Sequence, residues 1–348
     1  MFNTFLSPDI VAEVERMKGG GYNRIIGVNM VSGKRYILRI PYCAQPVNHE
    51  LADQVAIIRH VKKNSSIAVP CVIRFDVESR NPIQLPYMIQ TRLKGVPLHH
   101  LIDLLNFHEK QNLTTVIVEL WSKICNLTFR AAGILRAQDL HTAKDVVLTI
   151  TGDVDPQEPH PRNAMHFLVS CFQGQMKEAR RRNHHLKYEL MRRLHRATIA
   201  LSGVKPIINK FSLYHWDLAP RNILVVRNTD GSFAVTGLLD LDGATAAPIE
   251  VAWVLPYWLW SCNGSTRSSE SVGEEQMDEI PKDDESRAIK NLFEREIEKA
   301  VPSFMSVWRR GKHARQLFYY AVNGIRDSRD TERIEQLTGE IITTYRTM

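Results

Sequence analysis

Apolar residues follow two rhythms along this chain. Up to about residue 94 they come in short β-branched or aromatic runs broken by turn residues, the pattern of strands. "GGGYNRIIGVNM" and "SGKRYILRI" are two such runs around Ser32-Gly33 and predict a hairpin. "NHELADQVAIIRHVKK" switches to helical spacing, with Asn48 placed as N-cap for the first unpaired backbone N–H groups. "VPCVIRFDV" and "PYMIQTRL" predict two more strands bracketing the polar turn Glu78–Pro82. After Gly95 the helical period takes over in "LHHLIDLLNFH", "TTVIVELWSKICNLTFRAA", "AMHFLVSCFQGQMKEARRR" and "LKYELMRRLHRATIALSG". Amphipathic helices, "ESRAIKNLFEREIEKAV" and "ARQLFYYAVNGIR", close the chain. The expected architecture is α+β: a small β-rich lobe at 1–94, a large mostly helical lobe at 95–348, a junction at Gly95-Val96-Pro97 and a ligand cleft between the lobes.

Composition narrows the function classes. The 348 residues are 44% apolar and 24% charged, ordinary for a globular protein able to bury a full core. The N-terminal stretch lacks the basic region and long apolar run of a secretory signal. "AAPIEVAWVLPYWLWSC" (Ala246–Cys262) contains Glu250 and two prolines and is too short to span a bilayer, so no membrane role is expected and an interior turn or helix is. The five cysteines are widely spaced with no CxxC pair, which predicts neither disulfides nor a cysteine zinc site and fits a reducing cytosol. Part of the net charge of +7 falls in the basic run Met176–Arg196. There Met176, Leu186, Leu190 and Leu194 form an apolar stripe, leaving the basic residues as a solvated face; a nucleic-acid partner is not expected. The polar, acidic 264–285 stretch predicts a mobile loop.

One stretch breaks the helical rhythm. "YHWDLAPRNILVV" (Tyr214–Val226) runs from an Asp into an Asn and then into aliphatics that predict a strand, 223–226. The "NTDGS" turn and a second run, 234–239, complete a hairpin that ends in Asp240-Leu241-Asp242-Gly243. Such a hairpin brings Asp217, Asn222 and Asp240 together. In an extended segment Asp240 and Asp242 would share one face, with Leu241 on the other. An Asn amide with a carboxylate suits Mg²⁺ (or Mn²⁺), which takes few protein ligands when phosphates complete its octahedron. Asp217 is then left to orient a hydroxyl and accept its proton.

His215-Trp216-Asp217-Leu218-Ala219-Pro220-Arg221-Asn222, the aliphatic strand after it and the later Asp240-Leu241-Asp242 resemble the aminoglycoside phosphotransferase and choline kinase-like branch of the protein kinase fold, most closely its fungal-type members. "GGGYNRIIGV", "YILRIP", "VAIIRHVKKNSSIAVP", "NPIQLPYMIQTRLKGVPL" and "APIEVAWVLP" occur in that family's order, so the resemblance runs from about residue 11 to about residue 330. It implies a two-lobed kinase-like fold and Mg-dependent transfer of the γ-phosphoryl group of ATP or GTP to a hydroxylated small molecule. Asp217 is the implied catalytic base, Asn222 and Asp240 are the metal ligands, and His215 and Asp242 support the loop. Gly20, Gly21 and Asn23 stand at the phosphate-covering turn. Arg39 stands where protein kinases carry a phosphate-holding lysine. Gln90 and Leu93 lie in the hinge that presents backbone to the base.

One position departs from the pattern. The helix residue that pairs with that cation is usually Glu, and Gln54 stands there, with Glu50 one turn earlier as a substitute. The departure keeps a second reading open: a catalytically silent or repurposed member of the fold, acting as a binding module.

Overall fold

The computed structural model describes residues 10–42, 47–149, 164–202, 209–261, 280–325 and 328–346. Its strands are β1 (Val11–Arg16), β2 (Asn23–Met30), β3 (Arg35–Pro41), β4 (Val72–Asp76), β5 (Tyr87–Thr91), β6 (Val96–Pro97), β7 (Thr128–Phe129), β8 (Gly133–Ala137), β9 (Val146–Thr149), β10 (Phe211–Tyr214), β11 (Ile223–Arg227), β12 (Phe233–Leu238) and β13 (Thr245–Pro248). The main helices are α1 (His49–Asn64), α2 (Phe107–Asn126), α3 (Ala164–Arg181), α4 (His185–Ser202), α5 (Asp284–Ala300), α6 (Phe304–Arg310), α7 (Lys312–Asn323) and α8 (Ser328–Arg346). The architecture is α+β. Two compact units share the chain: Met1–Leu120 with Leu135–Val147 and Trp216–Gly243, and Trp121–Ile134 with Leu148–His215 and Ala244–Met348.

The first unit carries a five-stranded antiparallel sheet in the order β1-β2-β3-β5-β4. Its β2–β3 hairpin is the one the sequence predicts, with Ile25 opposite Arg39. Helix α1 starts where expected, because the Asn48 side chain accepts from the Leu51 N–H at 2.9 Å. Leu51, Val55 and Ile58 bury its apolar stripe, each contributing roughly 1.5–3 kcal/mol. Asp53 anchors the helix from another side, accepting from Arg136 Nη1 at 2.6 Å and from the Ala137 N–H at 2.7 Å.

A second sheet in this unit has the order β12-β11-β6. Val96 and Pro97 pair with Val225 and Leu224, so the chain leaving Gly95 is stitched to the strand that follows Asn222. Gly95 makes that approach, with φ +106°, a region that L side chains rarely adopt. A Cβ there would stand 2.8 Å from the Val225 carbonyl oxygen.

In the second unit β10 lies between β7 and β13, and β13 also pairs with Gly133 and Ile134 of β8. Helix α3 packs on α4, and α4 on α8. Trp121, Trp258, Phe293 and Phe304 form a connected cluster of edge-on rings. The Trp121 indole N–H donates to the Val254 carbonyl at 2.8 Å, which satisfies its polar edge.

Several expectations need correction. "LHHLIDLLNFH" holds only two short 3₁₀ turns, Leu98–His100 and Ile102–Leu104, before α2 begins. Asn106 and Glu109 each accept from the other's N–H at 3.0 Å, and this capping box starts a new helix instead of extending an old one. The region after Gly95 is also less purely helical than its rhythm suggests. β10 and β13 are four residues each and buried, too short for alternation to register. In the basic run Leu190 and Leu194 are buried, but Leu186 is 67% exposed and leaves the stripe. Several basic residues there are paired: Arg181 and Arg182 with Glu178 and Arg192 with Glu189 nearby in sequence, and Arg193 with the distant Glu335. Among the described residues no helix is long and apolar enough to cross a membrane, and Cys71, Cys125 and Cys171 are free thiols. Most of the acidic 264–285 stretch lies outside the described residues, as do Cys43 and Cys262.

Candidate functional site

The interval between Asp217 and Asn222 is the reach of one tight loop. The Ala219 N–H donates to the Asp217 carbonyl and the Asn222 N–H to the Ala219 carbonyl, both at 2.9 Å. Pro220–Asn222 then forms a 3₁₀ turn that opens on proline, where a missing N–H costs nothing. The Asn222 Nδ2 folds back and donates to the Asp217 carbonyl at 2.8 Å and to Asp217 Oδ2 at 2.7 Å. Arg221 occupies the other oxygen, Oδ1, at 2.5 Å. Both oxygens of Asp217 are therefore held, and the Oδ1 of Asn222 is left for a ligand.

The hairpin delivers the second half of the site. Ile223 lies opposite Leu238, and the Leu239 N–H donates to the Asn222 carbonyl at 2.8 Å. The chain then turns sharply. Asp240 has φ +58°, the left-handed region, which Asp tolerates better than most residues. The expected extended segment is thus absent at Asp240, and Leu241 is buried. The Asp240 carboxyl is pushed up to about 6. Crowding by protein on its inner side acts first, then the negative Asp242, with Asp217 adding to the rise and Arg39 and Arg221 opposing it. The residue still meets solvent on its outer side, which limits the energetic weight of that crowding.

Arg39 is 8% exposed, and its Nη2 pairs with Asp242 Oδ2 at 2.7 Å. This corrects the expectation of a partner on α1. Glu50 is exposed, and Gln54 has a buried Oε1 with no hydrogen-bond partner. The acid on α1 that does form an ion pair is Asp53, one residue and about 100° around the helix from Gln54, and it points to Arg136. Arg39 Nε and Asp242 Oδ1 are likewise buried without partners. A buried guanidinium with a spare donor suits a phosphate oxygen.

Of the remaining expected site residues, Gly20 and Gly21 sit in the turn between β1 and β2 with nothing within 4 Å of a built Cβ. The sterically required glycine is Gly19, whose Cβ would lie 2.5 Å from the Asn23 carbonyl oxygen. Asn23 is buried at the start of β2. Gln90 is buried inside β5 with partners in β3 and β4, and Leu93 packs where a Cβ on Gly237 would meet it. His215 is buried and ends a segment of the second unit.

Sequence reasoning missed the cations. Arg221, quoted in the loop but given no role, holds the carboxylate of Asp217. The Leu98–His100 turn packs against Pro220–Asn222 and brings His99 and His100 to the loop. The signal available in the sequence was the "HH" pair just past Gly95.

Among the described residues no three His, Cys, Asp or Glu side chains are grouped to hold a metal. A Mg²⁺ site needs only one amide and one carboxylate when phosphates and water complete it. Asn222 Oδ1 and Asp240 are donors of the kind such a site would use, and the repulsion among Asp217, Asp240 and Asp242 is what a divalent cation would relieve. The residues fit the group.

No family model matches the chain. Over 131 residues it is 26% identical to a subtelomeric hrmA-associated cluster protein of Aspergillus fumigatus, a match covering 37% of this chain and 26% of that protein. Over 142 residues it is 28% identical to altered inheritance of mitochondria protein 9, mitochondrial, of Candida dubliniensis, covering 37% of this chain and 22% of that protein. The chain thus spans about a quarter of the length of these curated relatives. Its fold matches that of ADP-bound aminoglycoside phosphotransferase APH(2'')-Ib, with a TM-score of 0.55 at 10% identity, covering 99% of this chain and 95% of that one. A thermostable mutant of APH(4)-Ia in ternary complex with ADP and hygromycin B gives a TM-score of 0.50 at 15% identity, covering 99% and 96%. The fold is α+β and protein kinase-like, as in these phosphotransferases. The fungal relatives are not phosphotransferases by name, so membership of the fungal-type branch is not carried over. The cytosolic expectation is overturned, because relatives from Candida, Debaryomyces and Saccharomyces are named mitochondrial.

Proposed function

We propose that the chain is a Mg²⁺-dependent (or Mn²⁺-dependent) phosphotransferase that moves the γ-phosphoryl group of ATP or GTP to a hydroxyl of a small molecule. The observation that carries this reading is the convergence of Asn222 and Asp240 on Asp217, through the Leu239–Asn222 bond and two side-chain bonds from Asn222. In this reading Asn222 Oδ1 and the Asp240 carboxylate hold the metal, which supplies neutralisation of charge on the β- and γ-phosphate oxygens. Arg39 offers its unpaired Nε to a phosphate. The open face of Gly20 and Gly21 admits the polyphosphate to the backbone. Asp217, held by Asn222, orients the acceptor hydroxyl and takes its proton. The nucleotide belongs with residues 1–94, and the acceptor with the loop.

A second reading, nucleotide binding without transfer, is favoured by Gln54 in place of an acid and by the Arg39–Asp242 pair in its stead. The two separate in a transfer assay that follows ADP or GDP formation against amino-sugars, sugars, choline analogues and other hydroxylated compounds. Asp217→Asn should lower turnover by roughly 10³-fold and leave nucleotide affinity unchanged, since only the base is lost. Equal turnover in both proteins would remove Asp217 from the chemistry.

A further inference from the structure

The surroundings of Asp217 carry a charge that the proposed reaction does not use. Arg221 lies directly on its Oδ1. The His99 and His100 rings are tilted by 38° with centroids 3.9 Å apart, on a turn that packs against Pro220–Asn222. The His99 Nδ1 is buried and has no hydrogen-bond partner. The basic groups nearest the His99 ring are His100, Arg221 and Lys18, the last just ahead of the glycine turn. Nearby carboxylates are already engaged, Asp217 by Arg221 and Asn222, and Asp242 by Arg39. Asp240 is the metal ligand of the proposed site.

Resting on the phosphotransferase reading, we infer that the acceptor bears an anionic group, a carboxylate, sulfate or phosphate near its reactive hydroxyl, which Arg221, His100 and Lys18 receive. This sets the chain apart from a phosphotransferase whose acceptor is an aminoglycoside, since those compounds are polycations. Two effects act in the same direction. Arg221 and Lys18 attract an anionic group and repel an ammonium. An anion on Arg221 also draws the guanidinium off Asp217 Oδ1 and frees that oxygen for the incoming hydroxyl. A cationic acceptor would leave Arg221 on the base. Arg221 is then a specificity-determining residue that couples acceptor charge to exposure of the base.

The rival use of these cations is the nucleotide's own phosphates, and a measurement of local potential with nucleotide bound tells the two apart. Paramagnetic relaxation of the His99 and His100 ring protons is recorded with carboxy-PROXYL, neutral carbamoyl-PROXYL and aminomethyl-PROXYL, on the Mg·ADP-saturated protein at low salt. The expected result is a relaxation enhancement roughly threefold larger for the anionic probe than for the cationic one, fading at high salt. At the His99 ring the order should invert in Lys18→Glu/His100→Glu. Equal enhancement by the charged probes, or an excess for the cationic one, overturns the inference. So does an anionic excess that is present without nucleotide and vanishes when Mg·ADP binds, which assigns the cations to the phosphates. Failure of Mg·ADP to bind at all, seen as no thermal shift, would remove the phosphotransferase reading itself, a result distinct from a wrong probe order.

Discussion

The loop Asp217–Asn222 and the turn Gly19–Gly21 serve the same proposed nucleotide and are built in opposite ways. In the loop, backbone bonds and the Asn222 amide fix the turn and Asp217 Oδ2 before any ligand arrives, while Arg221 covers Oδ1. In the turn, Gly19 alone is demanded by packing, and Gly20 and Gly21 face open space. The loop is preorganised, as a group that must meet a transition state needs to be. The turn leaves room for a ligand to finish the structure. Charge follows the same division. The loop's end gathers Asp217, Asp240 and Asp242 against Arg39 and Arg221, three negative charges against two positive ones.

The comparison breaks most readily at that balance. Asp242→Ala removes the ionic partner of a buried Arg39 and should cost about 2–3 kcal/mol in urea unfolding. This lies below the range for a fully buried pair because solvent reaches 24% of the Asp242 side chain. An unchanged midpoint would mean that Arg39 is not held by this pair.

Asp240→Asn tests the opposite sign. The folded carboxyl is raised to about 6, above its ordinary value of 3.8. Between those values the folded protein keeps a proton that the unfolded chain has released, so stability falls as pH rises through that window. The variant should therefore be more stable than wild type at pH 7, by about 1 kcal/mol after discounting for solvent on the exposed side, and equal to it near pH 4. A destabilised variant at pH 7 would show that Asp240 is a structural partner and not a strained ligand.

The smallest stability effect belongs to the turn. Gly21→Ala meets nothing within 4 Å and should move the unfolding midpoint by less than about 0.5 kcal/mol while weakening nucleotide binding several-fold. A large stability loss would make the turn as preorganised as the loop.

How much of this was legible in the sequence divides along the same line. The loop was readable because its determinants are local: a fixed Asp–Asn interval, a proline and an aliphatic strand. The β2–β3 hairpin and the Asn48 cap were readable for the same reason. The Arg39–Asp242 pair joins residues 203 apart, and no periodicity reports it, so the search went to α1 and found Gln54. The left-handed turn at Asp240 was hidden because Asp, unlike Gly, does not advertise positive φ. The buried four-residue strands β10 and β13 were masked by the helical rhythm around them.

The central claim is that Asn222 and Asp240 hold one divalent metal on a nucleotide triphosphate beside Asp217. Calorimetric titration of ATP and of GTP, with and without Mg²⁺, into wild type and Asp240→Asn tests it most directly. The account predicts that one of the nucleotides binds wild type with an affinity that rises at least about tenfold with Mg²⁺, close to 1.4 kcal/mol, and that this gain disappears in the variant. Binding that ignores Mg²⁺, or a gain of equal size in both proteins, would contradict it.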